Sequence, residues 1–248
     1  MEWTDEAIVL TARPHGERSA IVSLLTHAHG RHAGLVRGAA RMGAVFQPGN
    51  RVQARWRGRL IEQLGTFSCE LLRADAAFLL RDGARLACLA AACAMAETAV
   101  PERAPHPVVF ATLESLIRGL VEGWPGWAPA YARWEMTLLA ALGYGLDLTE
   151  RETALRTNDR LAYVSPRTGR AVTASDAWRW GERLLPLPSF LIDDAYAPAG
   201  IAATDIAAAL RLTGHFLERH ALLPAARVRL AARFDTAEKE KPCHTRTP

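Results

Sequence analysis

Arginines dominate the groups in this sequence that could do chemistry. Nine lie between positions 13 and 59: Arg13, Arg18, Arg31, Arg37, Arg41, Arg51, Arg55, Arg57 and Arg59. Glu17 is the only acid in that window, so the local charge is +8, whereas the whole chain carries only +4. The remainder is therefore net acidic. Lysine occurs only at Lys239 and Lys241, so nearly every positive group is a planar guanidinium fork, suited to phosphate and to stacking on bases. Such asymmetry points to one part that binds a polyanion and another that does something else. The first candidates for phosphate contact are Arg37 and Arg41, which flank a Gly-Ala-Ala loop open to close backbone approach, and Arg55, Arg57 and Arg59. Arg13, Arg18 and Arg31 sit at expected loops and rank behind them. Arg51 reads equally well as a surface charge at the start of a strand.

Other constellations are weaker. His27 and His29, two apart, would share one strand face and could approach a metal with His32, but no carboxylate partner is evident, so a structural or phosphate-contacting role is expected. Asp193-Asp194 reads as a turn, and Trp178 and Trp180 as cover for a core edge. The sequence has no Gly-rich phosphate loop, no GxSxG and no HExxH. Cys69, Cys88, Cys93 and Cys243 lack the close spacing of a zinc site or disulfide framework, so reduced thiols are expected, with Cys88 and Cys93 packing as small apolar groups. The expectation is a protein that is not an enzyme and needs no cofactor.

These arginines must be positioned by strands. Ala7–Ala12, Ala20–Thr26 and His32–Gly38 are β-rich and separated by turn signals at Pro14-His15-Gly16 and near Gly30. Arg51–Arg57 alternates cleanly, with Val52, Ala54 and Trp56 on one face and Gln53, Arg55 and Arg57 on the other, the mark of a half-buried strand with a basic outer face. Leu60–Leu71 supplies a fifth. Five short strands in some 70 residues predict a small closed barrel, the strand count of the OB-fold.

From Ala74 the pattern turns helical. One helix is expected over Asp75–Ala99, with Phe78, Leu79, Leu86, Leu89 and Cys93 at helical spacing, and another over Val108–Glu122. A third carries Tyr131, Trp134, Leu138 and Leu142 in a stripe and stops at Gly143. Within an irregular stretch, Leu161–Val172 reads as a β-hairpin and 184–188 as extended. Thr204 is the expected N-cap of a final helix with Ile206, Leu210, Thr213 and Leu217 on one face. The fold class is therefore α+β: an OB-fold barrel over 1–73, a mainly helical domain over 74–234 with a small hairpin insertion within 147–200, and a disordered tail over 235–248.

Composition agrees with a globular chain, at 248 residues, 50% hydrophobic and 23% charged. The longest stretches without Asp, Glu, Lys or Arg, such as Leu86–Ala96, run to about 11 residues, short of the roughly 20 that span a membrane. The acidic start, Met1-Glu2-Trp3-Thr4-Asp5-Glu6, does not read as a secretory signal.

Four segments, taken in order, resemble the RecO family of bacterial DNA repair and recombination mediators: Ala7–Met42 (AIVLTARPHGERSAIVSLLTHAHGRHAGLVRGAARM), Leu139–Leu148 (LAALGYGLDL), Leu161–Val172 (LAYVSPRTGRAV) and Arg183–Leu191 (RLLPLPSFL). The resemblance implies an N-terminal OB-fold followed by a helical domain. It also implies binding of single- and double-stranded DNA, annealing of complementary strands, and cooperation with RecR to help RecA displace single-strand-binding protein, whose acidic, apolar C-terminal tail would be a further partner. A cytoplasmic, bacterial location associated with the nucleoid during repair follows. Many RecO-like proteins carry a four-cysteine zinc motif after the counterpart of LGYGLDL. Here Thr149–Asp176 holds neither cysteine nor histidine, and the ligand positions near Glu152 and around the hairpin have lost zinc chemistry. No structural zinc is expected, and the hairpin would be held by packing from Tyr163, Trp178 and Trp180. The alternative is an OB-fold RNA-binding module with a helical protein-interaction domain. Such a module would interleave surface aromatics with the basic strand, but Trp56 falls on the apolar side. A small hydrolase would need a convergent polar pocket that the sequence does not display.

Overall fold

Alternating apolar residues close the first five strands on themselves. The computed structural model describes residues 1–39, 42–60, 63–148, 159–179, 183–193 and 200–239, the last four by backbone alone. Strands β1 (Glu2–His15), β2 (Ser19–Thr26), β3 (Gly30–Arg37), β4 (Arg51–Arg57) and β5 (Thr66–Arg73) form a closed barrel in the order β1-β2-β3-β5-β4. The 14-residue β1 makes closure possible. Its first half, Glu2–Ile8, pairs with β4, its second half, Ala7–His15, pairs with β2, and a bulge between Val9 and Thr11 bends it between the two partners. Val9, Val22, Leu24, Val36, Val52, Ala54, Trp56 and Phe67 fill the interior. The Trp56 indole N–H donates to the Leu64 carbonyl at 3.1 Å. Gly65, at φ +63°, lets the loop lie on that ring: a Cβ there would stand 2.4 Å from it.

Two strand bounds differ from the sequence expectation. β1 extends back to Glu2 rather than starting at Ala7, because Glu2, Thr4 and Glu6 alternate outward along β4 without an apolar run to betray them. β5 starts at Thr66 rather than Leu60, since residues 63–65 lie outside any strand.

The helical part comprises α1 (Asp75–Phe78), α2 (Gly83–Ala99), α3 (Pro107–Val121), α4 (Trp127–Ala141), α5 (Ala203–Arg219) and α6 (Ala225–Lys239). The single helix expected over Asp75–Ala99 is broken: the Asp82 carboxylate accepts from the backbone N–H groups of Ala84 and Arg85 and starts α2 afresh. Phe78, on the short α1, is 68% exposed and is not part of the core stripe. Thr204 does not cap α5; the N-cap is Ala202, without a side-chain cap, and Thr204 lies within the first turn. The last helix was not expected, and residues 235–239, assigned to a disordered tail, are helical; the rest of that tail lies outside the described residues. A three-stranded sheet, in the order β7-β6-β8, joins β6 (Leu161–Val164), β7 (Ala171–Thr173) and β8 (Leu185–Pro186), so the expected hairpin gains a third strand. Among the described residues no helix is long and apolar enough to cross a membrane.

Barrel and helices share one core. Ile8, Leu10 and Leu25, on the barrel's outer face, are buried in the same cluster as Leu89, Met95 and Leu113. Each such side chain stabilises by roughly 1.5–3 kcal/mol when fully buried, so the contact is substantial. Gly30, at φ +70°, marks a close approach: a Cβ would meet the Ala104 carbonyl oxygen at 2.2 Å. Deeper in the helical layer, a fully buried ion pair ties α6 to α4. Arg227 donates through Nε to Glu135 Oε1 at 2.8 Å and through Nη2 to Oε2 at 2.9 Å, while the Thr213 hydroxyl of α5 donates to Glu135 Oε2 at 2.5 Å.

Candidate nucleic-acid interface

The strand with the cleanest basic pattern is not bare. Closure of the barrel sets Glu2 opposite Arg57 and Thr4 opposite Arg55. The Glu2 carboxylate accepts from both arginines, from Arg57 Nη2 at 3.0 Å, and these bonds hold it below the usual carboxylate range. Arg51 is half-buried and bridges Glu6 and Glu114 of α3. Arg31 is not on a loop but in β3, facing the helical part. Its Nε donates to the Val100 carbonyl at 2.7 Å, and its Nη1 lies 3.3 Å from Glu102 and 3.6 Å from Glu97. The acids that meet Arg51, Arg55 and Arg57 come from the first six residues and from α3, those that meet Arg31 from α2 and the segment after it. All fall outside the 13–59 window.

A different set stays open to solvent. Arg13 lies near the end of β1, in the strand rather than a loop, Arg18 in the turn into β2, and Arg37 at the end of β3. Ser19 pairs with both His15 and Arg37, so these strand ends lie side by side. Leu35 pairs with Thr66 and Thr66 with Arg57, so the start of β5 is all that separates this cluster from the loop holding Arg59. Arg13, Arg18, Arg37 and Arg59 are exposed and, among the described residues, enter no ion pair. They form an arc along one rim of the barrel. Arg41 lies outside the described residues.

The three histidines diverge. His27 and His29 sit in the β2–β3 turn, not on one strand face. The His27 ring meets Phe110 edge-on at 5.4 Å, while His29 stacks on Trp3 at 4.2 Å and reaches Asp5 at 3.1 Å. His32 is 3% exposed, enclosed by Trp3, Trp56 and Phe67, and neither ring nitrogen has a partner among the described residues. Burial, helped by Arg103, lowers its pKa to about 4. Between pH 6.5 and 4 the unfolded chain therefore binds a proton that the folded one refuses. Stability from this group is intact above pH 6.5 and is lost as pH falls to 4, by about 3 kcal/mol. Urea unfolding at pH 7 and pH 4.5 is expected to show a larger loss for the natural chain than for His32→Leu; equal losses would refute the assignment.

Two family models divide the chain. Residues 1–74 match the model described as recombination protein O N terminal, and residues 80–227 that described as recombination protein O C terminal. The chain belongs to the RecO family. Proteins named DNA repair protein RecO from Rhodospirillum centenum and Rhodospirillum rubrum are 52% and 51% identical to it over 246 and 245 residues, covering 96% of each chain. One of the same name from Paracoccus denitrificans is 48% identical over 244 residues, covering 94% of this chain and 96% of its own. The RecO resemblance read from four segments thus holds over nearly the whole chain, and so does the α+β class with an OB-fold barrel.

The RecO insertion does not fit the zinc site that many family members carry. Its described part offers neither thiolate nor imidazole, Asp147 is paired with Arg170 at 3.2 Å, and no group of three His, Cys, Asp or Glu side chains among the described residues is placed to share a metal. Trp178 does not cover the hairpin, as expected from sequence, but stands 77% exposed with the Arg179 guanidinium 5.5 Å from its ring centre; Trp180 and Asp194 lie outside the described residues. Instead, Leu161, Val164 and Ala171 are buried, the Ala171 N–H donates to the Asp147 carbonyl at 2.9 Å and the Asp147 N–H to the Gly169 carbonyl at 3.0 Å, and Arg219 donates to the Arg167 carbonyl at 2.8 Å. Cys88 and Cys93 are buried, and burial pushes the Cys93 thiol up to about 12.

Proposed function

We propose that this RecO-family chain is a non-catalytic DNA-binding mediator of repair and recombination. It binds single- and double-stranded DNA through the rim arc, anneals complementary strands, and with RecR helps RecA load onto DNA coated by single-strand-binding protein, engaging that protein's C-terminal tail. The observation that carries the reading is the arc itself: exposed guanidinium groups with no ion pair among the described residues, on a barrel where Arg31, Arg51 and Arg73 are ion-paired and Arg55 and Arg57 share Glu2. Self-repulsion there has a cost that phosphate binding would offset. Arg13, Arg18, Arg37, Arg59 and Arg41 are the favoured contacts. Arg55 and Arg57 contribute less because Glu2 already screens them, and Arg31 serves the junction with the helices. Holding backbones while leaving bases free would let two strands meet with their repulsion screened.

Five phosphate contacts would give a log–log salt slope of about −3.5 for single strands. The test is annealing of complementary oligonucleotides coated with cognate single-strand-binding protein, with and without the chain, across a salt series. Acceleration without nucleotide, weakening with that slope, is expected. No acceleration by folded protein at low salt would refute it.

A further inference from the structure

We propose that the cavity between the β1–β2 hairpin and residues 42–48 receives one unstacked base of the single-stranded DNA held by the arc, an inference that rests on the DNA-binding reading above. The cavity has a volume of about 600 Å³, within the roughly 300–1,000 Å³ of small-molecule sites. Small apolar residues, Ala12, Pro14, Ala20, Ala39 and Pro48, line it together with Phe46, which is itself buried. The polar residues Thr11, Ser19, Gln47 and Glu17 belong to the same lining. Apolar residues with a few hydrogen-bonding groups among them suit a heterocycle better than a phosphate.

Charge decides which end of a nucleotide enters. Glu17 would repel a phosphate and accept from exocyclic amino groups of bases. Arg13 lines the same opening, Arg18 follows Glu17, and Arg37 pairs with Ser19, another lining residue. A backbone held by these three arginines passes the mouth with its bases free to turn in. The far wall is already fixed. Asn50, 1% exposed, donates through Nδ2 to the Ala44 carbonyl at 2.8 Å and the Val45 carbonyl at 3.2 Å, and Gln47 donates to the Gly43 carbonyl at 3.2 Å. The site therefore needs little ordering on binding. Trp56 is wholly buried inside the barrel, so its alternating strand offers no stacking platform.

Gly43 is exposed and lies at the cavity, and a Cβ there would have nothing within 4 Å. No neighbour bars a larger side chain at this lining position, and Ala12→Leu adds bulk at a second lining position, on β1. The full-length protein would be titrated by fluorescence anisotropy with a single-stranded oligodeoxynucleotide and with an abasic oligomer of equal length. The natural chain is expected to prefer the base-bearing strand by about tenfold. G43L and A12L, each checked for unchanged unfolding, should lose that preference while keeping the abasic affinity and salt slope. Equal affinity of the natural chain for both oligomers, or a preference that survives both substitutions, would overturn the base pocket and leave arc binding standing. Binding to neither oligomer at low salt would overturn the DNA reading, and the pocket with it.

Discussion

Replacing Arg13, Arg18 and Arg37 together by alanine is expected to weaken binding to single-stranded DNA about a hundredfold at moderate salt, on the scale of hydrogen bonds to charged groups. The salt slope should flatten by about 2, since each lost phosphate contact removes about 0.7. The double variant Arg55→Ala/Arg57→Ala is the informative comparison. Sequence pattern alone ranks those two among the best contacts, but both donate to Glu2. Each must give up its bond to Glu2 before it can hold a phosphate, so both contribute less at the outset and the affinity loss should stay within about tenfold. Arg31→Ala should lower the unfolding midpoint and leave the salt slope unchanged, because its partners are Val100, Glu97 and Glu102. Anisotropy titrations at several salt concentrations measure all three. An Arg55/Arg57 variant as damaged as the rim variant would move the DNA surface onto β4.

The largest stability effect is expected at the pair joining α4 and α6. Arg227→Met leaves the wholly buried Glu135 carboxylate without a cationic partner among the described residues, with the Thr213 hydroxyl still donating to it. Breaking one side of such a pair costs about 3–5 kcal/mol. Replacing both, as Glu135→Leu/Arg227→Met, removes the stranded charge and should recover most of that loss, because two buried ions give up a large desolvation cost together. Urea unfolding with matched slopes measures the difference. A double variant as unstable as the single one would show that the pair itself, rather than the orphaned charge, carries the stability.

What the sequence disclosed depended on how local the signal was. Arg51–Arg57 was legible to the residue, because period-two alternation is complete within it. The same segment exposes Arg55 and Arg57 as its alternation requires, but gives no hint of the carboxylates that meet its arginines. Glu2 and Glu6 meet Arg57 and Arg51 only once β1 closes the barrel, some fifty residues away in sequence. The alternation Glu2, Thr4, Glu6 was the signal that could have revealed this, hidden by the lack of apolar partners. The break before α2 was also present in Asp82-Gly83, a capping pair masked by the alanine-rich run that follows. α6 left little trace, since it buries Leu230 and the charged Arg227 rather than an apolar stripe. The rim arc emerged only from register, because no linear window sets Arg18 beside Arg37.

The Glu135–Arg227 pair also has a consequence in time. Glu135 leaves the ribosome 92 residues ahead of Arg227, a gap of roughly 5–20 s at ordinary rates of translation. Throughout that interval the nascent helical layer carries a carboxylate with no counter-ion to bury against, and α2 lacks one of its neighbours. The barrel residues are complete long before. A chain that terminates ahead of residue 227 thus has a finished barrel rim on a helical layer that lacks its last helix and leaves Glu135 without its cation.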